Sequence, residues 1–155
     1  IAPAIRLSYM VLPEELAKTY REKLSFVHST VSKVDQMIVT RFLEEGHYER
    51  HLNKTRSLYR SRHDTLLESL RPLFSVCRVS GENAGVHLLL TFENGRTEQE
   101  LVSLAKEQGI KVYGLSDYCI EEGRKEEGAT ILLGYANLSE DEIRDAAEVL
   151  NRVWR

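Results

Sequence analysis

"GVHLLLTFENGRTEQELVSLAKEQGIKVYGL", residues 85–115, is the stretch whose reading decides the fold. It opens on an unbroken apolar run, Gly85–Phe92, of the kind that forms a strand buried on both faces. "ENGRT" then reads as a turn. Thr97 to Glu100 ("TEQE") is a capping box, in which the threonine hydroxyl accepts from a backbone N–H that the first helical turn leaves unpaired. The helix it starts closes at Gly109, and "IKVYGL" reads as the next strand.

Working outward, the same grammar repeats. "SVCRVSG" upstream is a strand with Val76 and Val79. Gly81 and Gly85 flank a turn that calls for positive φ. Downstream come a charged, glycine-rich turn "EEGRKEEGA", a strand "TILLGYA", and a second capping box "SEDE" at Ser139–Glu142 that opens the last helix. Residues 75–155 are thus expected to form an α+β layer of four strands with two helices on one face. Residues 1–74 read differently. "IRLSYMVL" (Ile5–Leu12) has the look of a strand, and Pro13 suits the first position of a helix. Leu16, Tyr20 and Leu24 give that helix one apolar face. A second helix runs from Ser32 with Val34, Met37, Ile38 and Phe42 at helical spacing, and stops at Gly46. A third, "HYERHLNKTRSLYRSRHDTLLESL", continues to Pro72 and is expected to span about 24 residues, or roughly 36 Å.

Composition narrows the function classes. The chain has 155 residues, 42% hydrophobic and 29% charged, with a formal net charge of −3. That is a globular balance, and it argues against a dedicated nucleic-acid module, which is usually basic overall. Two cysteines without a CxxC spacing suggest neither a disulfide framework nor zinc, and fit reduced thiols in a cytosolic protein. No stretch approaches the roughly 18 apolar residues that span a membrane. The chain opens "IAPAIRLSYM", without an initiator methionine or a signal peptide, as expected of a piece cut from a longer protein. The basic long helix (Arg50, His51, Lys54, Arg56, Arg60, Arg62, His63) has three readings: a solvated face with i,i+4 pairs such as Arg60–Asp64, a ligand or partner contact, or a nucleic-acid surface. His87, inside an apolar run, is expected to be a core histidine.

Five stretches in register, "APAIRLSYMVLP", "GHYERHLNKTRSLYRSRHD", "SGENAGVHLLL", "GIKVYGLSDY" and "ILLGYANLSEDEI", resemble the C-terminal part of the aminotransferase-like domain of MocR-type regulators in the GntR superfamily. The resemblance implies the small C-terminal domain of the aspartate-aminotransferase fold (fold type I). Residues 1–74 would hold the last strand of the large domain and the connecting helices, and residues 75–155 the small domain. It implies pyridoxal 5′-phosphate in the full-length protein. None is expected to be held covalently by this chain, because the family's lysine lies upstream of "PAIR". It implies a cytoplasmic homodimer, DNA read by a separate N-terminal winged helix-turn-helix, and a small-molecule amine or pyridoxal phosphate as effector. No membrane and no metal are expected. The alternative is the tail of a class I/II aminotransferase, and a further one a standalone α+β interaction domain.

Site residues follow from the same resemblance. Arg6 would hold the cofactor phosphate, for which its planar fork of donors is suited; without the resemblance it reads as a solvent-exposed arginine. Ser116 and Tyr118, in "GLSDY", match a turn bordering the substrate entrance. Ser29 and Thr30, with Ser32, match a loop that contributes to the partner's site. No residue of the chain is expected to be catalytic. One departure bears on the enzyme alternative. Where working aminotransferases begin the "RLSFA"-like strand with a carboxylate-binding arginine, this chain has Leu132.

Overall fold

A computed structural model describes residues 6–82, 85–119 and 128–155. The chain divides into two compact units, residues 1–55 and 56–155.

The first unit is helical. Helix α1 (Glu14–Leu24) follows Pro13, and α2 (Lys33–Glu44) starts at Ser32, whose hydroxyl accepts from the Val34 N–H. After Gly46, in the left-handed region at φ +70°, the chain enters α3 (His47–Leu70). The α2–α3 corner is built on Phe42, whose ring lies against His47, Tyr48 and His51. The apolar faces expected of α1 and α2 exist but are uncovered. No residue of either helix is buried, and Leu16, Tyr20, Leu24, Val34, Met37 and Ile38 are all exposed. The expected strand at Ile5–Leu12 is not one: Ile5 lies outside the described residues, and residues 6–12 are neither helix nor strand. A strand exists only when a neighbour accepts its backbone hydrogen bonds, and no described strand pairs with this segment.

The second unit, which begins at residue 56, holds a four-stranded sheet. Its sheet has the order β1-β2-β4-β3, antiparallel throughout: β1 is Cys77–Ser80, β2 His87–Phe92, β3 Tyr113–Gly114 and β4 Ala129–Gly134. Gly81 and Gly85 take φ +79° and +81°, as the turn between β1 and β2 requires. The turn expected at "EEGRKEEGA" falls largely outside the described residues.

Register decides which side chains meet. Leu88 faces Leu133, Leu90 faces Ile131 and Phe92 faces Ala129; this row is buried and forms the inner face. Helix α4 (Glu98–Glu107) contributes Leu101 and Ala105 to it, and α5 (Glu140–Val153) contributes Ile143, Ala147 and Leu150. Only the C-terminal part of α3 joins this core, through Leu66 and Leu70. Trp154, fully buried just after α5, stacks edge-on against Phe92 at 5.4 Å and donates its indole N–H to the Leu101 carbonyl at 2.9 Å. α3 is tied to α5 by Ser61 donating to Glu140 and by Asn151 donating to the Ser69 carbonyl. The expected Arg60–Asp64 pair is present at 4.0 Å, at the surface. His87 is not in the core. It opens β2 in solvent, because an apolar run buries only from the point where the sheet and helices cover it.

Both capping boxes form as read. Thr97 and Ser139 accept from the Glu100 and Glu142 N–H groups, and each glutamate accepts from the cap's own N–H. These bonds hold Glu100 and Glu142 below the usual carboxylate range; Ser61 chiefly does the same for Glu140. A carboxylate whose folded pKa is depressed contributes stability above its unfolded value and loses it as pH falls. Chemical denaturation should therefore show stability declining below about pH 5, with a shallower decline in Glu100→Gln/Glu142→Gln. In the same assay Trp154→Ala should cost about 3–5 kcal/mol, since it opens a large cavity and removes the indole bond to the Leu101 carbonyl. A loss under about 1 kcal/mol would contradict this packing.

Candidate functional site

The face of the sheet opposite the core is the only part of the second unit where an expected site residue and an unburied apolar surface coincide among the described residues. Period-two alternation places Arg78, Leu89, Thr91, Thr130, Leu132 and Tyr113 on that side. Its middle is dry and paired: the Thr91 and Thr130 hydroxyls, both buried, meet at 3.0 Å. Beside them runs an apolar row of Leu89, Leu132 and Tyr113, in register across β2, β4 and β3. Leu132 thus stands between a leucine and a tyrosine, a surrounding that suits an apolar contact, and its own side chain cannot pair with a carboxylate.

The turn that follows β3 carries the expected pair. Residues Leu115–Tyr118 form one 3-10 turn, closed by the Cys119 N–H donating to the Ser116 carbonyl. Tyr118 is 60% exposed and packs edge-on against Tyr113 at 6.2 Å, and the Lys111 ammonium sits 5.1 Å from the Tyr113 ring. Tyr113 chiefly raises the Lys111 pKa, by a hydrogen bond to its side chain. Ser116 is bound rather than free: its N–H and its hydroxyl both donate to Glu98 Oε2, at 3.1 and 2.5 Å. The other oxygen of Glu98 accepts from the Thr130 N–H at 3.1 Å. Gly114 leaves room for this carboxylate: a Cβ there would overlap Glu98 Oε2 and sit 3.2 Å from the Glu98 Cβ, so the Glu98 side chain would have to shift. Glu98 is the residue sequence reading missed. It lies inside the capping box already read, and its partners are 18 and 32 residues away.

In the first unit, Ser29 and Thr30 share the exposed loop between α1 and α2, where the Ser29 hydroxyl accepts from the Val31 N–H. The Ser32 hydroxyl is taken by its helix-capping bond. Arg6 is exposed and takes φ +49°, a left-handed conformation uncommon outside glycine. It makes no hydrogen bond or ion pair with another described residue. Among the described residues no three His, Cys, Asp or Glu side chains converge as a metal site would require, and no helix is long and apolar enough to cross a membrane.

No protein-family model matches the chain. The fold is found in solved aminotransferases. It superposes on the α-aminoadipate aminotransferase LysN of Thermus thermophilus with TM-score 0.70 at 24% identity, covering 92% of this chain and 36% of that one. For an aspartate transaminase of Corynebacterium glutamicum the values are 0.72, 21%, 90% and 34%. The kynurenine aminotransferase of Pyrococcus horikoshii gives 0.69, 20%, 91% and 34%. The class is therefore defined: an α+β portion of the fold type I aminotransferase architecture. By sequence the chain is similar to HTH-type transcriptional regulators. It is 34% identical to YhdI of Bacillus subtilis over 155 residues (99% of this chain, 32% of that protein) and 34% identical to YdeL of the same organism over 156 (100% and 33%). It is 26% identical to the probable rhizopine catabolism regulatory protein MocR of Rhizobium meliloti over 153 (98% and 30%). The chain spans about a third of the length of these curated relatives.

The two thiols give the site a reporter. Burial pushes the Cys77 thiol up to about 11, whereas Cys119 is exposed and lies against the turn, its Sγ 3.7 Å from the Leu115 carbonyl. At about pH 8 a disulfide-exchange reagent should modify Cys119 rapidly and Cys77 far more slowly. Two equally fast thiols per chain would contradict the half-burial of Cys77.

Proposed function

We propose that this chain is the C-terminal part of a pyridoxal-phosphate-responsive MocR-type transcriptional regulator, acting in the cytoplasm. Its aminotransferase-like module senses a small-molecule amine or pyridoxal phosphate, dimerises, and passes the conformational change to an N-terminal winged helix-turn-helix on the same polypeptide. The observation that carries the reading is a pairing of likenesses. End-to-end identity of 34% is to HTH-type regulators, while the architecture is that of aminotransferases. A sensor keeps such a fold for binding and closure without needing turnover.

The apolar row Leu89–Leu132–Tyr113 favours the sensor over the aminotransferase alternative. A substrate carboxylate brought against Leu132 would find no charge partner in that side chain, which removes the bidentate contact an arginine there would give. The cofactor question divides by chemistry. Arg6, exposed and without a described partner, has the donor fork that suits the phosphate end. Pyridoxal phosphate would supply electron-withdrawing imine chemistry when bound to the full-length protein. In this chain the roles left are contact with the phosphate by Arg6 and lining of the effector entrance by Ser116 and Tyr118, with Ser29 and Thr30 reaching toward the site of a partner subunit.

Dimerisation is the reading of the uncovered helices. Contiguous exposed apolar side chains on a soluble domain mark a surface meant to be covered, and a second copy is the proposed occupant.

Two measurements test this. Adding pyridoxal phosphate to the full-length protein should produce a visible Schiff-base absorbance band, and Arg6→Ala should weaken its retention by about tenfold or more, as loss of a charge-assisted phosphate contact does. A colourless full-length protein contradicts the proposal. Light scattering of this chain should report a dimer or larger species through α1, α2 and residues 6–12; a monomer persisting at high concentration removes the dimerisation role.

A further inference from the structure

Strand β3 is only two residues long, yet β4 continues past its end. Gly114 pairs with Ile131, and the next backbone donor on that edge of β4 is the Thr130 N–H. In an ordinary ladder a strand carbonyl would accept it. Here the Glu98 side chain does, from the first turn of α4. Its second oxygen takes both donors of Ser116, so one carboxylate replaces the missing continuation of β3 and ties the following turn to the sheet. The close approach is permitted by Gly114, whose missing Cβ leaves space for the carboxylate. Three donors on two segments thus converge on one side chain from a third.

We infer that Glu98 is the positioning residue of the Ser116–Tyr118 turn: it sets where Tyr118 and Ser116 stand at the open face of the sheet, and so the shape of the effector entrance. The functional half rests on the reading under Proposed function; the structural half does not. The position of the turn depends on side-chain bonds instead of strand pairing. The turn can therefore shift without unfolding the sheet, which a ligand-responsive edge needs.

Amide hydrogen exchange on this chain tests the structural half. In Glu98→Ala, the Ser116 and Thr130 amides should exchange about tenfold faster, while Leu90 and Ile131 in the sheet keep their rates. Glu98→Gln supplies the sharper readout. A carboxamide has one acceptor oxygen, so it can serve the Thr130 N–H or the Ser116 N–H but not both, and the two amides should separate, one protected and one fast. Glu100→Ala, which loosens the same helix start through the capping box, should leave both amides near their original rates. Unchanged exchange in Glu98→Ala, acceleration spread evenly over β2 and β4, or an equal effect of Glu100→Ala would overturn the inference. The functional half is read in the full-length protein from its rate of uptake of pyridoxal 5′-phosphate, followed by absorbance. Glu98→Ala should change that rate severalfold and Glu100→Ala should not; an unchanged rate with locally accelerated amides removes the entrance role. If the wild type takes up no cofactor at all, the regulator reading has failed, and the exchange result alone decides whether Glu98 positions the turn.

Discussion

The inner row of the β2–β4 pair is the constraint on which the rest depends. Leu88, Leu90 and Phe92 face Leu133, Ile131 and Ala129, and every helix of the second unit is placed by what it adds to that row. A slip of one residue would turn Leu88, Leu90 and Phe92 outward and bring His87, Leu89 and Thr91 inward, so the cost of burying His87 and Thr91 in the core opposes it. Trp154 then closes the layer from the far end of the chain. Its ring meets Phe92 and its N–H meets Leu101, so β2, α4 and the end of α5 are joined through one side chain. Arg96 reinforces the closure by donating to the Val153 and Arg155 carbonyls, where the last helix runs out of partners of its own.

With one face committed to the core, the other face is left for function. It is not a uniform surface. Its buried centre is satisfied by the Thr91–Thr130 bond, its adjoining row is apolar, and its edge is a turn held by the Glu98 carboxylate. Leu132 stands in register between Leu89 and Tyr113, at the position where the family resemblance leads one to expect a carboxylate-binding arginine. An apolar row at that position suits contact with a ligand's apolar part, in keeping with the proposed sensing role.

Local rules made much of the second unit legible. Both capping boxes, the helices they start and the glycines at positions 81 and 85 stand where the sequence puts them, because each depends on residues a few positions apart. Legibility failed where the deciding partner is distant or is not in this chain's described structure. β3 is shorter than "IKVYGL" suggests because a side chain from α4 takes over its hydrogen bonding. His87 sits in an apolar run but at its exposed end. Residues 6–12 have strand composition without a strand to pair with, and the apolar faces of α1 and α2 are amphipathic in pattern yet uncovered. Periodicity tells which face seeks burial and cannot tell against what. Glu98 left no signal at all, since a glutamate in the first turn of a helix is ordinary. The expected roles of Arg6, Ser29, Thr30, Ser116 and Tyr118 came from the family resemblance alone.

The central claim is that this fold serves as the ligand-sensing module of a regulator, with its open sheet face turned toward the cofactor. An experimental structure of the full-length protein with pyridoxal phosphate bound tests it most directly. The account predicts the Arg6 guanidinium within hydrogen-bonding distance of the cofactor phosphate, and the Ser116–Tyr118 turn bordering the entrance, with Leu132 behind it. A cofactor held without Arg6, on the side of the sheet away from that turn, would contradict it.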